Sequence, residues 1–595
     1  MHLRDQRAFM PEKHSITEET FDQLAVGSGG IAGMDVLRNA DRSRRLLLML
    51  GLVDRAKTDV RLTGPLAGSE TAWDLLVKAQ EADSRALERV LAHPYTGSWA
   101  CYTTRLIEQD LAGECPLWVH YGYLHTLAAT AAIHARLDFT IRVPVWDGTV
   151  VLPTLGAALL AEDRGFTTAE VRGEAGAFTI LGERSRVTPG QPAWSPVRTF
   201  RFDVGGHVLE LRVDDLDPYR DLYHPIPPAR LTESESANWR NVLGEAWGLI
   251  VAHLPEYAEV MPVGLMSIVP EPAVPFRLPS ASTDDAFGSA VITTPGEPAT
   301  LAAALVHEFQ HVRLGALLQL VRLHDDDHTE RLYAPWREDP RPLGGLVHGV
   351  YAFFGVSAFW RAFSKARPDD LVAAFEFAHW RSQSWRTLEA IRDEPALTDA
   401  GRRFLGELAA VLGPWQEEPT RSEATHWTKT LEADHEAGWR LRHLRPAPQI
   451  VAGLARAWQE GLPCPPSAPE RKLDTVSDGD WPNARADLVR IRLSENGKTR
   501  LSQLWSLVPG ALEADRLLVD GRVGEARTAY AAKLAVDPDH APALIGLALS
   551  LADEPVGRTV LAAPELVRAV HRMLRETGDA PTVEELAAWM GRGMP

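Results

Sequence analysis

His307-Glu308-Phe309-Gln310-His311 has residue types and spacing suited to chemistry: it is an HExxH motif. On a helix, residues four apart share a face one turn apart. Both imidazoles can then grip one metal ion, with the glutamate close beside it. With 20 His and 80 Asp plus Glu in 595 residues, roughly 0.1 chance matches are expected, so composition alone does not supply the motif. The plain alternative is two core histidines and a buried glutamate. The flanks favour the metal, because apolar Leu301, Ala304, Leu305, Leu314, Leu317 and Leu318 recur at helical spacing across 301–323. Residues 294–298 (TPGEP) offer a helix start, with proline tolerated in the first turn. The β-like run 288–293 (GSAVIT) precedes it, a strand-then-helix order used by many HExxH proteins.

Two imidazoles leave positions open on a metal, and the third ligand decides the class of reaction. A zinc peptidase takes a downstream Glu, and Glu330 and Glu338 are placed for that along the chain. Glu308 would then be the general base on a zinc-bound water. The other candidate is His348, on an apolar helix expected over 346–363, which the preceding loop would bring back over the metal helix. Three imidazoles suit several transition metals about equally. The loop 333–345 (YAPWREDPRPLGG) carries Arg337 and Arg341. A guanidinium binds a carboxylate through two parallel hydrogen bonds, which an enzyme using a keto-diacid needs and a peptidase does not. Their plain alternative is an ion pair with Glu338 or Asp339.

Other histidines read as structural. His120, His125 and His134, in the Ala/Leu-rich run 117–137, do not share one helical face. The cluster His324 to His328 reads as a solvated acidic loop. Cys101, Cys115 and Cys464 form no CxxC pair, which suggests a reducing compartment.

The elements around the motif divide the chain into an expected order. Residues 1–139 read as helical, with a capping-like start at Ser15, Thr17 and Glu18. Residues 140–215 read as an antiparallel β-subdomain of short β-branched and aromatic runs, with a hairpin turn at Gly205-Gly206. Residues 216–460 form the metal-binding catalytic domain, with helices expected at 233–254, 369–390, 398–413 and 420–443. Polar, Pro-rich 461–500 reads as a linker. Residues 501–595 read as a C-terminal helical domain, in which 513–551 resembles one TPR-like helix pair. The fold class is therefore α+β and predominantly helical: a zincin-like HExxH core, a small antiparallel β-subdomain and a TPR-like hairpin domain. The net charge of −18 argues against a general binder of nucleic acid or anionic membrane. No apolar signal region or uncharged 18-residue apolar stretch is visible, so a cytoplasmic protein is expected.

Three blocks carry a resemblance: HEFQHVRLGALL (307–318), YAPWREDPRPLGGLVHGVYAFFGV (333–356) and EETFDQLAVGSGG (18–30). They resemble the HExxH-domain proteins associated with bacterial ribosomally synthesised and post-translationally modified peptides, regarded as 2-oxoglutarate-dependent peptide β-hydroxylases. The resemblance runs over about 14–445. It implies Fe(II) held by His307, His311 and His348, with 2-oxoglutarate bound by Arg337 and Arg341, and O2 as oxidant. It implies hydroxylation of a side-chain Cβ in a precursor peptide, with Glu308 orienting a ligand or water. The C-terminal helices would hold the leader peptide or a partner maturation protein. A zinc metallopeptidase and an inactive peptide-binding module are the alternatives.

Overall fold

The computed structural model describes residues 14–109, 115–161, 165–294, 296–466, 470–578 and 580–593. The protein is mixed α+β and predominantly helical, with 22 α-helices among the described residues. It divides into two compact units, Met1–Val274 with Leu278–Arg322, and Pro275–Arg277 with Leu323–Pro595. The division falls within 216–460, the span expected as one catalytic domain.

The first unit opens with six helices, from Glu18–Ala25 to Leu117–His134. Thr17 caps the first through its side chain, which accepts from Thr20 N. The apolar run 72–91 lies in two helices, Ser69–Ala82 and Ser84–Leu91. Asp83 divides them: its backbone is extended and its side chain accepts from Arg85 N, so it caps the second. Leu117–His134 is almost wholly buried, in a core shared with the strands that follow.

Seven short strands between Phe139 and Pro196 form one antiparallel sheet. The hairpin Arg198–Val204 and His207–Val213 turns at Gly205 and Gly206, with φ of +58° and +86°. Two successive positive φ values are what a tight hairpin of this twist requires. This hairpin leaves the seven-stranded sheet. It joins Ser267–Glu271, Ser289–Thr293 and Ser280–Ala281 in a five-stranded sheet. Ser267–Glu271 runs parallel to His207–Val213 and to Ser289–Thr293. Parallel neighbours need a crossover, and helices Glu233–His253 and Pro255–Gly264 supply the first one. A capping box of Thr232 and Glu235 fixes where the first of these begins. The β-subdomain expected over 140–215 thus ends near 196, and its last hairpin belongs to the sheet that leads into the motif helix.

The second unit is built on four long helices, Leu343–Ala366, Leu371–Ile391, Asp399–Gln416 and Ser422–His443. Asp370 and Thr398 cap the second and third. Leu343–Ala366 is long and apolar enough to cross a membrane by length and composition, but 72% of its most apolar window is buried inside the protein. Among its described residues, the stretch expected as a linker, 461–500, carries ordered elements. Arg471–Leu473 pairs with Leu444–Pro446. Ala484–Leu493 is a helix that buries Leu488, Val489 and Ile491. The Trp481 indole packs where Gly438 leaves room on Ser422–His443. Its Pro-rich composition concealed these few anchors. The span 513–551, expected as one helix pair, forms three helices, Glu513–Val519, Val523–Val536 and Ala541–Leu549. The Tyr530 hydroxyl donates to Asp515 Oδ1 at 2.6 Å, and its ring lies on Gly546.

Candidate metal centre

The motif lies on the helix Pro298–Leu318, which begins from Glu297 in an extended conformation with Pro298 in its first turn. Pro295 of the expected start lies outside the described residues. Fourteen residues of this helix are buried, among them Leu301, Leu305, Phe309, Leu314 and Leu317, so its axis is held on several sides.

His307 and His311 converge. Their Nε2 atoms are 3.1 Å apart, with ring centroids 4.7 Å apart at an interplanar angle of 74°. Metal–nitrogen bonds of about 2.0–2.1 Å place two imidazole nitrogens about 2.9–3.4 Å apart for angles from right-angled to tetrahedral. The observed separation falls in that range. Burial lowers the His307 pKa to about 4, so at neutral pH the ring is the uncharged imidazole that a metal requires. The pair therefore fits a transition metal in both donor type and spacing.

Glu308 is fully buried. Its Oε1 accepts the Ser280 hydroxyl at 2.6 Å and lies 4.0 Å from His307 Nε2. Its Oε2 has no hydrogen-bond partner among the described residues. Burial pushes the carboxyl up to about 7, against the hydroxyls of Ser280 and Ser282. A carboxyl poised there can hold or release a proton near neutral pH. Ser280 comes from the two-residue edge strand Ser280–Ala281, antiparallel to Ser289–Thr293. The sheet thus carries both the strand that leads into the motif helix and the hydroxyl that steers its glutamate.

The far side of the helix is tied to the N-terminal segment. Arg313, 1% exposed, donates to the carbonyls of Gly27 and Ser28. Gly27 and Gly29, at φ +74° and +100°, turn that segment so that the carbonyls are presented. This accounts for the glycines of 18–30, which lie far from the motif in sequence.

The remaining candidates belong to the second unit. His348 stands half-buried on Leu343–Ala366. Next to it, Gly349 accommodates the Trp336 indole, which a Cβ at that position would displace. Trp336 packs on Phe353, which stacks on Trp380 at 4.2 Å. The loop 332–341 closes on itself through a bridge between Leu332 and Arg341.

Arg337 and Arg341 both reach Asp339, at 2.9 and 3.0 Å. The structure thus places the two proposed co-substrate arginines in an ion-pair fork around a carboxylate of their own loop. Glu338 is likewise engaged. It accepts from Arg442 and Asn483 and lies 3.6 Å from His435 Nε2. Burial raises its pKa, but His435, Arg442 and Asn483 outweigh this and hold it below the ordinary value. Glu330 is exposed on the loop. Among the described residues, no group of three or more His, Cys, Asp or Glu gathers to hold a metal. The motif pair stands as two donors of the right kind.

The histidines read as structural are hydrogen-bonded. His120 Nδ1 meets the Tyr219 hydroxyl at 2.9 Å, His125 Nδ1 the Arg142 carbonyl at 3.0 Å, and His134 Nε2 the Thr154 hydroxyl at 2.9 Å. Burial lowers all three to about 4. His324 Nδ1 meets the Asp325 carbonyl, and Asp327 caps Thr329 N in the same loop. Sequence reasoning missed Ser280, Arg313 and Arg442. Ser280 carries no local signal. Arg313 had one, a charge on an apolar helix six residues after His307.

No protein-family model matches the chain, and no curated protein matches it.

Proposed function

We propose that the protein is a mononuclear metalloenzyme acting on a peptide. The reaction is Fe(II)- and 2-oxoglutarate-dependent hydroxylation of a side-chain Cβ in a ribosomally synthesised precursor peptide. The observation that carries the metal is the 3.1 Å approach of His307 Nε2 to His311 Nε2 on one buried helix. The choice of reaction rests on the resemblance of the three sequence blocks.

His307 and His311 are the first two ligands, and His348 is the proposed third. Glu338 is committed to Arg442 and Asn483, and Glu330 stands exposed, so neither carboxylate has the setting of a ligand. Bound iron with 2-oxoglutarate and O2 would supply the oxidising chemistry. The protein's part is to hold two imidazoles at fixed separation and keep Glu308 oriented by Ser280. A co-substrate carboxylate would draw Arg341 or Arg337 from Asp339. That exchange swaps one carboxylate for another and needs no new cation. In the proposed fold the five-stranded sheet and motif helix make a zincin-like core. The helices from Glu513 onward make a TPR-like module for the leader peptide or a partner maturation protein.

A zinc metallopeptidase is the second reading. Glu308 Oε1, 4.0 Å from His307 Nε2, favours it, since that is where a general base acts on a metal-bound water. Anaerobic reconstitution with Fe(II), followed by 2-oxoglutarate titration, separates the two. A weak absorption band near roughly 500–530 nm, from keto-acid chelation at an open iron site, is expected for the oxygenase. No band, tight zinc retention and peptide cleavage lost in Glu308→Gln would replace it with the peptidase.

A further inference from the structure

The first unit contains a well-formed cavity of about 340 Å³. Its lining follows the periodicities of the elements that form it. Val119, Tyr123 and Thr126 come from one face of Leu117–His134. Thr149 with Val151, and Ala157 with Leu159, are alternate residues of neighbouring strands, so one face of the seven-stranded sheet forms the floor. Tyr219, Pro227, Pro228 and Arg230 close the third side.

The chemistry of the walls selects the occupant. The Tyr123 hydroxyl is turned away to Asp217 Oδ2 at 2.6 Å, and that of Tyr219 to His120 Nδ1 at 2.9 Å. Both tyrosines therefore offer the cavity ring carbon. The rings stand edge to face, with centroids 4.8 Å apart, and Trp146 adds an indole. Arg230 is already paired with Asp215 at 2.9 Å, so among the described residues the lining offers no unpaired cation to an anionic ligand. Among the described residues Asp147 is the carboxylate of the lining, and it is exposed. Thr149 and Ser195 bring hydroxyls to a surface that is otherwise mostly apolar. The volume lies at the small end of ligand sites and is enough for one ring-bearing side chain.

We infer that this cavity is the anchor pocket for an aromatic or branched apolar side chain of a peptide, with Thr149 and Ser195 meeting the adjoining amides. The peptide part rests on the reading of the protein as one that acts on a peptide. The preference for an apolar ring does not. Asp147 makes the mouth favourable to a basic neighbour and unfavourable to an acidic one.

Saturation-transfer NMR on the full-length protein tests it, with N-acetyltryptophanamide, N-acetylglycinamide and free indole as probes. Two variants alter the site. Ala157→Leu fills the floor. Leu159→Glu charges the rim of the floor at a residue 63% exposed, where the fold tolerates it. Saturable binding of the tryptophanamide alone is expected, weakened on the order of tenfold or more by either variant. No binding, equal binding of the glycinamide, or binding unchanged in both variants overturns the pocket. Indole bound as tightly as the tryptophanamide overturns the peptide assignment and gives the cavity to a small aromatic molecule. Metal content of the same samples reports on the other reading separately: probe binding without metal uptake keeps the pocket and removes the enzyme.

Discussion

Glu338 is the residue at which the two accounts of the third ligand diverge most measurably. As a brace, it neutralises Arg442, only 2% exposed, and accepts from Asn483. Removing one partner of a fully buried pair costs about 3–5 kcal/mol. Here the Glu338 side chain is 39% exposed, and glutamine keeps one acceptor oxygen, so Glu338→Gln is expected to cost roughly 2 kcal/mol. For a unit of this size that is a fall in Tm of roughly 4 °C. The pH dependence has a definite sign. The folded carboxyl sits below its ordinary 4.5, so its contribution is present above that pH and is lost as pH falls through the folded value. The stability curves of wild type and variant should converge in acid below pH 4.5. Differential scanning calorimetry across pH, with metal content measured on the same samples, is the assay. Glu330→Gln, on an exposed residue, is the control. An unchanged Tm would refute the brace. Loss of metal from Glu338→Gln would make Glu338 a ligand and remove His348 from that role.

Ser280→Ala removes a 2.6 Å hydrogen bond to a fully buried carboxyl. It should cost about 1–2 kcal/mol in denaturant titration and weaken metal binding roughly tenfold. Arg485 bridges Asp434 and Asp515 at 2.5 and 2.6 Å with all three side chains buried. Arg485→Ala should therefore cost about 3–5 kcal/mol, and lysine, lacking the fork, should restore only part of it. Arg341→Ala breaks a half-exposed pair and should change stability by less than about 1 kcal/mol. Its effect is expected instead in the 2-oxoglutarate concentration needed for turnover, and an unchanged requirement would release Arg341 from co-substrate binding.

The motif helix was legible because its leucines keep helical spacing on both sides of the histidines. Gly205-Gly206 announced a hairpin because two positive φ values in a row need glycine. The four long helices after residue 342 were likewise expected from the sequence, the first from its apolar run. What escaped was non-local. Nothing in 198–213 signals that its hairpin pairs with a strand beginning at Ser267, since strand partners are chosen across a crossover and not within the run. The ordered part of 470–500 hangs on Trp481 and the buried face of Ala484–Leu493, which polar neighbours obscure. At the candidate site, the spacing of His307 and His311 carried through to geometry. The pairing of Arg337 and Arg341 with Asp339 was legible as the alternative to co-substrate binding. The partners of Glu338, Arg442 and Asn483, were not, because a loop charge can pair with its neighbour or with a distant helix, and sequence separation does not distinguish them.

The central claim is a metal held by His307 and His311. Metal content after anaerobic reconstitution and desalting, measured for wild type, His307→Ala, His311→Ala and Glu308→Gln, tests it most directly. The account predicts about one transition metal per chain in wild type, retention in Glu308→Gln, and loss in both histidine variants with the fold intact by circular dichroism. A wild-type protein that takes up no stoichiometric metal, or histidine variants that keep it, would contradict the account.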